Sequence, residues 1–358
     1  MKPSLALLVP ALCGLTLVGV GCGKKKADEG GITVDYQSVG SGQGKKLFLD
    51  GVVDFGASDA AMSPDEIKKA EDKEKTPKGV VLLPMTAGAV VLAYNLPEVK
   101  DLKLSRDAYT KIFLGKITRW NDDAIKKANP GVALPDKSIH VVVRQDSSGT
   151  TYVFSNHLAA VSPDFKSQIG VNTAPAWPTE FTKGKGNEGV TAQLKTTPGS
   201  IGYIEYGYAK SVSGDVGVAL IENKAGEYVP YSVEAAQAGL SSAELPTDLI
   251  AWAPDPADKK AYPIVTYTWL LCYKTYENKK TAEAVKKLVN YCLDEGQKSS
   301  AGLGYVPLPD AVSKRVREVA ATIGGEKDGS AVEKLKGAGA SFPAPIYQKW
   351  FKDFKSAK

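Results

Sequence analysis

Histidine is scarce in this chain. Its 358 residues hold two, His140 and His157. A serine or cysteine nucleophile needs a base within hydrogen-bond reach. His157 follows the Ser148 turn on a predicted helix and reads as a structural or surface residue rather than as that base. No Glu/His/Asp cluster has metal-ligand spacing and no Cys/His pair is evident, so neither a metal nor a cofactor is expected. Charge of one sign is not in excess either: 45 Lys and Arg stand against 40 Asp and Glu, a net +5. The lysines are spread out, which argues against a nucleic-acid patch. Such a balance favours an approaching anion only weakly.

Cysteine is also rare, with four in the chain. Cys13 lies in an apolar leader and Cys22 just beyond it. Cys272 and Cys292 remain, and two readings stay open: a disulfide in an exported protein, or two buried thiols, one on a strand and one on a helix. The apolar stretch Leu5 to Val20 follows Lys2 and is too short for a stable membrane span. Residues 1–21 therefore read as a signal peptide. The run Leu17-Val18-Gly19-Val20-Gly21-Cys22-Gly23 looks like a lipoprotein cleavage site with Cys22 lipidated, although Gly19 stands where leucine is usual. The alternative is an ordinary cleaved signal. Residues 22–29 are polar and charged and read as a flexible tether.

Short apolar runs alternate with helical patterns along the rest, without an internal repeat, which predicts an α/β protein. The length suits two domains. Strands are predicted at Ile32–Tyr36, Asp54–Asp59, Val80–Leu83, Ala89–Tyr94, Ile139–Arg144, Ile201–Ile204 and Ile264–Tyr273. Ser63-Pro64-Asp65-Glu66 is a helix start, with serine as cap, proline in the first turn and glutamate three residues on. Helices are also predicted behind Ser41, over Tyr152–Leu158, from Asn187, over Thr281–Leu293 and at the C-terminus. That last one carries a one-sided stripe of Ile346, Tyr347, Trp350, Phe351 and Phe354. Gly324 to Ser330 reads as a linker.

Three turns combine small and hydroxyl residues and lead into helices: Gly40-Ser41-Gly42, Ser148-Gly149-Thr150 and Ala340-Ser341-Phe342. Backbone N–H groups at helix starts bind oxyanions without side-chain ordering, and the helix dipole favours negative charge. Taken singly, a Ser or Thr there is most often only a cap. Arg144 precedes the second turn and offers a planar fork of donors; its bland alternative is a surface ion pair. Asp146 either holds Arg144 or caps the turn. Asp59 is the odd member. A carboxylate beside an anion is repelled by about 4 kcal/mol at roughly 4 Å and an effective dielectric of about 20. It makes sense if the ligand carries a proton, as phosphate does and sulfate does not. Otherwise it caps a turn.

The segments Val53–Asp59, Ile112–Asp122, Arg144–Thr150, Lys185–Gly189, Gly199–Tyr206 and Gly337–Phe351 closely resemble the phosphate-binding receptors of ABC phosphate importers. The resemblance implies a type II periplasmic binding protein, with two α/β lobes joined by a hinge and an interlobe ligand cleft. By matching segments, residues 30–86 and 264–358 form one lobe and 87–263 the other. The implied phosphate ligands are Ser41, Asp59, Arg144, Ser148, Gly149, Thr150, Ser341 and Phe342, the last through its backbone N–H. The implied partners are inorganic phosphate and an inner-membrane ABC permease, for a monomer at the periplasmic or cell-surface side of the membrane, lipid-anchored at Cys22. Sulfate or molybdate, or a phosphatase or hydrolase using Ser148, are the alternatives.

The order of segments departs from the family. The segment from Gly337 resembles the family's opening strand but stands last, so a circularly permuted chain is expected. Joining residue 358 to 31 would restore a β-α-β unit. Permutation further predicts that the strand before Ser341 shares a sheet with those at Ile32 and Asp54. It also puts Ala357 within about 10 Å of Gly31 and makes Gly324–Ser330 an exposed loop.

Overall fold

A computed structural model describes residues 31–71 and 79–356. The expected signal peptide, tether and lipidation site at Cys22 lie outside the described residues, as does Ala357. Eleven strands and seven helices are needed to place the site. The strands are β1 (Thr33–Ser38), β2 (Phe55–Ser58), β3 (Val80–Tyr94), β4 (His140–Arg144), β5 (Thr182–Gly184), β6 (Ser200–Glu205), β7 (Gly217–Val218), β8 (Val265–Tyr273), β9 (Thr275–Asn278), β10 (Gly324–Lys327) and β11 (Lys334–Gly339). The helices are α1 (Ser41–Leu49), α2 (Pro64–Glu71), α3 (Gly149–Val161), α4 (Gly186–Thr196), α5 (Tyr206–Ser211), α6 (Lys279–Leu293) and α7 (Ala344–Ser356).

The main sheet runs β1-β11-β2-β8-β3-β6-β4-β5, with β7 also on β3. At one end β11 lies between β1 and β2 and is parallel to both, in the register Ser38↔Gly339↔Ala57. The sheet neighbourhood expected of the strand before Ser341 is therefore present. At the other end β4 is parallel to β5 and to β6. Parallel strands bring their carboxyl ends to one edge, where ligands bind in open α/β sheets. Ser41, Asp59, Arg144 and Ser341 all follow or close such ends.

Two antiparallel strands, β3 and β8, join these groups. All fifteen residues of β3 are buried. Its first part pairs with β8 and its last five residues with β6. The sequence suggests two short strands here, and the structure corrects this to one continuous strand. Pro84 has no N–H for the ladder, and the register shifts opposite it, between Thr268 and Trp269. A bulge of this kind lets a proline stay inside a strand.

Ser63 caps α2 as expected: its Oγ accepts from Glu66 N, and Ser63 N donates back to the Glu66 carboxylate at 2.8 Å. The last helix, α7, packs on β1, with Tyr36 edge-on to Tyr347 and Phe351. Gly324–Ser330 is not wholly a loop. Its first four residues form β10, which pairs with β9, because backbone pairing there overrides the glycine-rich composition. Cys272 and Cys292 are free, buried thiols. Burial pushes the Cys272 thiol up to about 12.

Candidate functional site

The three turns meet. Gly40 caps α1 with φ at 88°, a conformation that suits glycine, and Ser41 makes no capping bond. The Ser41 Oγ instead accepts the Asp59 N–H at 3.2 Å, tying the start of α1 to the end of β2. Across from them, the Gly42 N–H donates to Ser147 O at 3.0 Å. A Cβ on Gly149 would lie 2.4 Å from Ser41 Oγ. Only glycine lets the start of α3 approach that closely.

Four hydroxyls share one feature. Thr150 Oγ1 accepts from Arg144 Nη1 at 3.2 Å and from Asn187 Nδ2 at 3.1 Å. Ser341 Oγ accepts from both the backbone and side-chain nitrogens of Asn187, each at 3.0 Å. Ser148 Oγ, as the cap of α3, accepts from the Thr151 N–H at 3.0 Å. Ser41 Oγ accepts from Asp59. A hydroxyl has one proton to give and two lone pairs: Thr150 and Ser341, which accept twice, are left as donors, while Ser148 and Ser41 accept once each and the Ser41 hydroxyl also serves the Asp59 carboxyl. Gly149 and Thr150 occupy the first turn of α3, where N–H groups have no helical acceptor. Among the described residues their amides, and that of Phe342, make no hydrogen bond.

Tyrosines orient the turn after β11. Tyr36, Tyr208 and Tyr305 donate to the carbonyls of Ala340, Ser341 and Phe342, each at 2.7 Å. The Ala340 N–H donates to Ala57 O at 2.9 Å, and the Phe342 N–H is the unpartnered donor noted above. The Phe342 ring packs against Gly88 and Tyr305, so this residue's polar contribution is its backbone, as expected.

Arg144 is no surface residue: its side chain is 0% exposed. It forms a two-pronged pair with Asp146, Nε to Oδ1 at 2.9 Å and Nη2 to Oδ2 at 2.6 Å. Burial alone would raise the Asp146 pKa. The Arg144 bonds and charge and the Gly186 N–H outweigh burial and hold it below the usual carboxylate range. Asp146 thus holds Arg144, the first of its two sequence readings, and also accepts the Gly186 N–H at the start of α4.

Asp59 is 1% exposed, and its Oδ1 accepts from Thr268 Oγ1 at 2.8 Å. Burial raises its pKa to about 7; the Thr268 bond, the Arg144 charge and the Ser41 hydroxyl oppose that rise. It is the acceptor among donors. Thr268 reaches it from β8, beside the register shift where β3 carries one extra residue, Met85.

All the predicted site residues thus come together: Ser41, Asp59, Arg144, Ser148, Gly149, Thr150, Ser341 and Phe342, with Asp146 behind Arg144. Sequence reasoning missed Asn187 and Thr268. Asn187 lay within a segment singled out above, and its place at a helix start after Gly186 was the available signal. His157 is fully committed: it is bonded at Nε2 to the Tyr109 hydroxyl and at Nδ1 to Pro254 O, and burial lowers its pKa to about 4.

Residues 25–295 match the model of the PBP superfamily domain. The phosphate-binding protein PstS of Pasteurella multocida is 36% identical over 292 residues, covering 80% of this chain and 81% of that protein. The PstS of Methanocaldococcus jannaschii is 37% identical over 305 residues, 79% of this chain and 77% of that one. The chain belongs to this family. The family fold is shared by the crystal structure of a phosphate-binding protein from Stenotrophomonas maltophilia. It superposes with a TM-score of 0.66 at 22% identity, covering 87% of this chain and 90% of that one. The architecture is that of a type II periplasmic binding protein.

Proposed function

We propose that the protein captures inorganic phosphate and delivers it to an ABC importer. The observation that carries this is Asp59: a buried carboxyl, near neutrality in pKa, beside a guanidinium, backbone amides without partners and hydroxyls that still hold a proton to give. Such a site suits a tetrahedral anion that brings a proton of its own. Phosphate near neutral pH does so and sulfate does not. The PstS naming of the curated relatives supports the same reading.

The ligand would bridge two lobes, residues 30–86 with 264–358 and residues 87–263, that turn about β3 and β8. Closure would then follow from tighter binding to the closed state. We read the protein as a monomeric receptor that does no chemistry on its ligand. The commitment of both His157 nitrogens leaves Ser148 without that base. A position outside the cytoplasmic membrane, with a lipid at Cys22, fits the leader sequence. Among the described residues no helix is long and apolar enough to cross a membrane.

The permuted order belongs to the same proposal. The placement of β11 between β1 and β2 supports it, as does a family match that ends at residue 295, before the Ser341 turn. Calorimetric titration with phosphate and sulfate in parallel tests the function. One phosphate per chain is expected, with sulfate competing poorly in large excess; equal binding of sulfate would remove the role given to Asp59.

A further inference from the structure

Glu205 is a buried acid that the donors above do not use. It ends β6 and is 0% exposed. Its Oε2 accepts the Gly207 N–H at 2.8 Å and lies 3.0 Å from the Tyr305 hydroxyl. Its Oε1 has no hydrogen-bond partner among the described residues. The charged group acting on it is another acid, Asp59.

Counting protons on Tyr305 decides the state of this acid. The Tyr305 hydroxyl is 3.0 Å from Glu205 Oε2 and 2.7 Å from Phe342 O. One hydroxyl proton cannot serve two acceptors. An ionised Glu205 would draw it, because hydrogen bonds to a charged acceptor are the stronger ones. Phe342 O would then face a lone pair. With a proton on Glu205 Oε2 both contacts are made: the acid donates to Tyr305, and Tyr305 donates to Phe342. Burial works in the same direction and raises the Glu205 pKa well above the ordinary range. The Gly207 and Tyr208 amides and the Tyr305 hydroxyl oppose it, and the Asp59 charge adds to the rise.

Glu205 also reaches the other half of the donor set. Its backbone N–H donates to Asn187 Oδ1 at 3.0 Å, and the amide of Asn187 holds the hydroxyls of Thr150 and Ser341. One residue at the end of β6 therefore fixes the Phe342 turn through its side chain and Asn187 through its backbone. We infer that Glu205 is a positioning residue of the anion site that works as a neutral carboxylic acid, its O–H fixing Tyr305 and, through it, the Phe342 turn. The inference rests on the phosphate reading. Its physical sense is that the turn is anchored by an acid without adding a second negative charge beside an incoming anion.

Infrared difference spectra of the full chain in D2O, wild type against Glu205→Gln, test the protonation state directly. Loss of a protonated-carboxyl band in the variant is expected. Loss of carboxylate bands instead would overturn the inference. In phosphate titrations Glu205→Gln should bind less tightly than wild type and more tightly than Glu205→Ala, because its amide can keep either the Gly207 or the Tyr305 contact but not both. Tyr305→Phe and Glu205→Ala should bind roughly fivefold more weakly or worse. Wild-type affinity in both Tyr305→Phe and Glu205→Ala also overturns it. A wild type that fails to bind phosphate would sink the proposed function, while the infrared result would still report on Glu205.

Discussion

Gly149 and Asp59 face each other so closely that one methyl group on Gly149 would stand 2.6 Å from Asp59 Oδ2. The two residues come from opposite ends of the sheet, at the start of α3 and the end of β2. Gly149→Ala should therefore obstruct the approach of α3 to Ser41 and Asp59. Phosphate binding is expected to weaken at least about tenfold, the scale of a typical overpacking cost. Calorimetry checks this, and wild-type affinity would show that this close approach is not needed for binding.

Asp59→Asn should change both stability and selectivity. Burial lifts the Asp59 pKa from 3.8 to about 7, so the folded state holds the proton more tightly than the unfolded chain does. The stability this group contributes is fully present below the unfolded pKa. It is lost as pH rises through about 7, on the order of 4 kcal/mol in all. Urea unfolding without phosphate, at a series of pH values, should show wild type losing ground to Asp59→Asn across that window. A pH-independent difference would contradict this. In competition titrations the variant should also accept sulfate more readily, because an amide can donate where a carboxylate cannot.

Arg144→Ala removes more than a ligand contact. A lost charge-assisted hydrogen bond costs about 1.5–3 kcal/mol of binding. The buried Asp146 is then left without its partner, which typically costs about 3–5 kcal/mol of stability. Adding Asp146→Asn should restore much of the unfolding temperature and little of the affinity. Equal recovery of both would mean that Arg144 acts only through Asp146.

The chain order can be reversed by experiment. A variant that joins residue 358 to residue 31 and opens the chain within 328–331, all exposed positions, should fold and bind phosphate within about tenfold of the parent. Breaks in exposed segments that cut no core element are tolerated. Opening inside Gly324–Lys327 should do worse, since β10 pairs with β9 there. An unfolded product from the 328–331 opening would argue against the permuted reading.

The anion turns were legible because their chemistry is local: a small residue, a hydroxyl and a helix start lie within a few positions of Ser41, Ser148 and Ser341. Arg144 and Asp146 were legible as neighbours two residues apart. Asn187 and Thr268 were not, since each acts on a partner fixed only by the assembled sheet, Ser341 or Asp59. The three tyrosines that turn the Ala340–Phe342 carbonyls were missed for the same reason. The continuity of β3 was not legible, because the bulge that accommodates Pro84 is defined only by its pairing with β8. The pairing of Gly324–Lys327 went unseen because composition says nothing about what lies alongside.

The position of β11 also bears on when the site can exist. Backbone bonds across this part of the sheet join residues as far apart in sequence as Thr33 and Glu333, and Asp54 accepts from the Lys336 N–H. Until residues 334–339 are available, β1 and β2 have no strand between them, and the cleft has neither Ser341 nor Phe342. Contacts of such long sequence separation form slowly, because the loop must close before they reward it. During synthesis the anion site is thus among the last features of the chain to form, and a partly made chain has no finished pocket in which to trap its ligand.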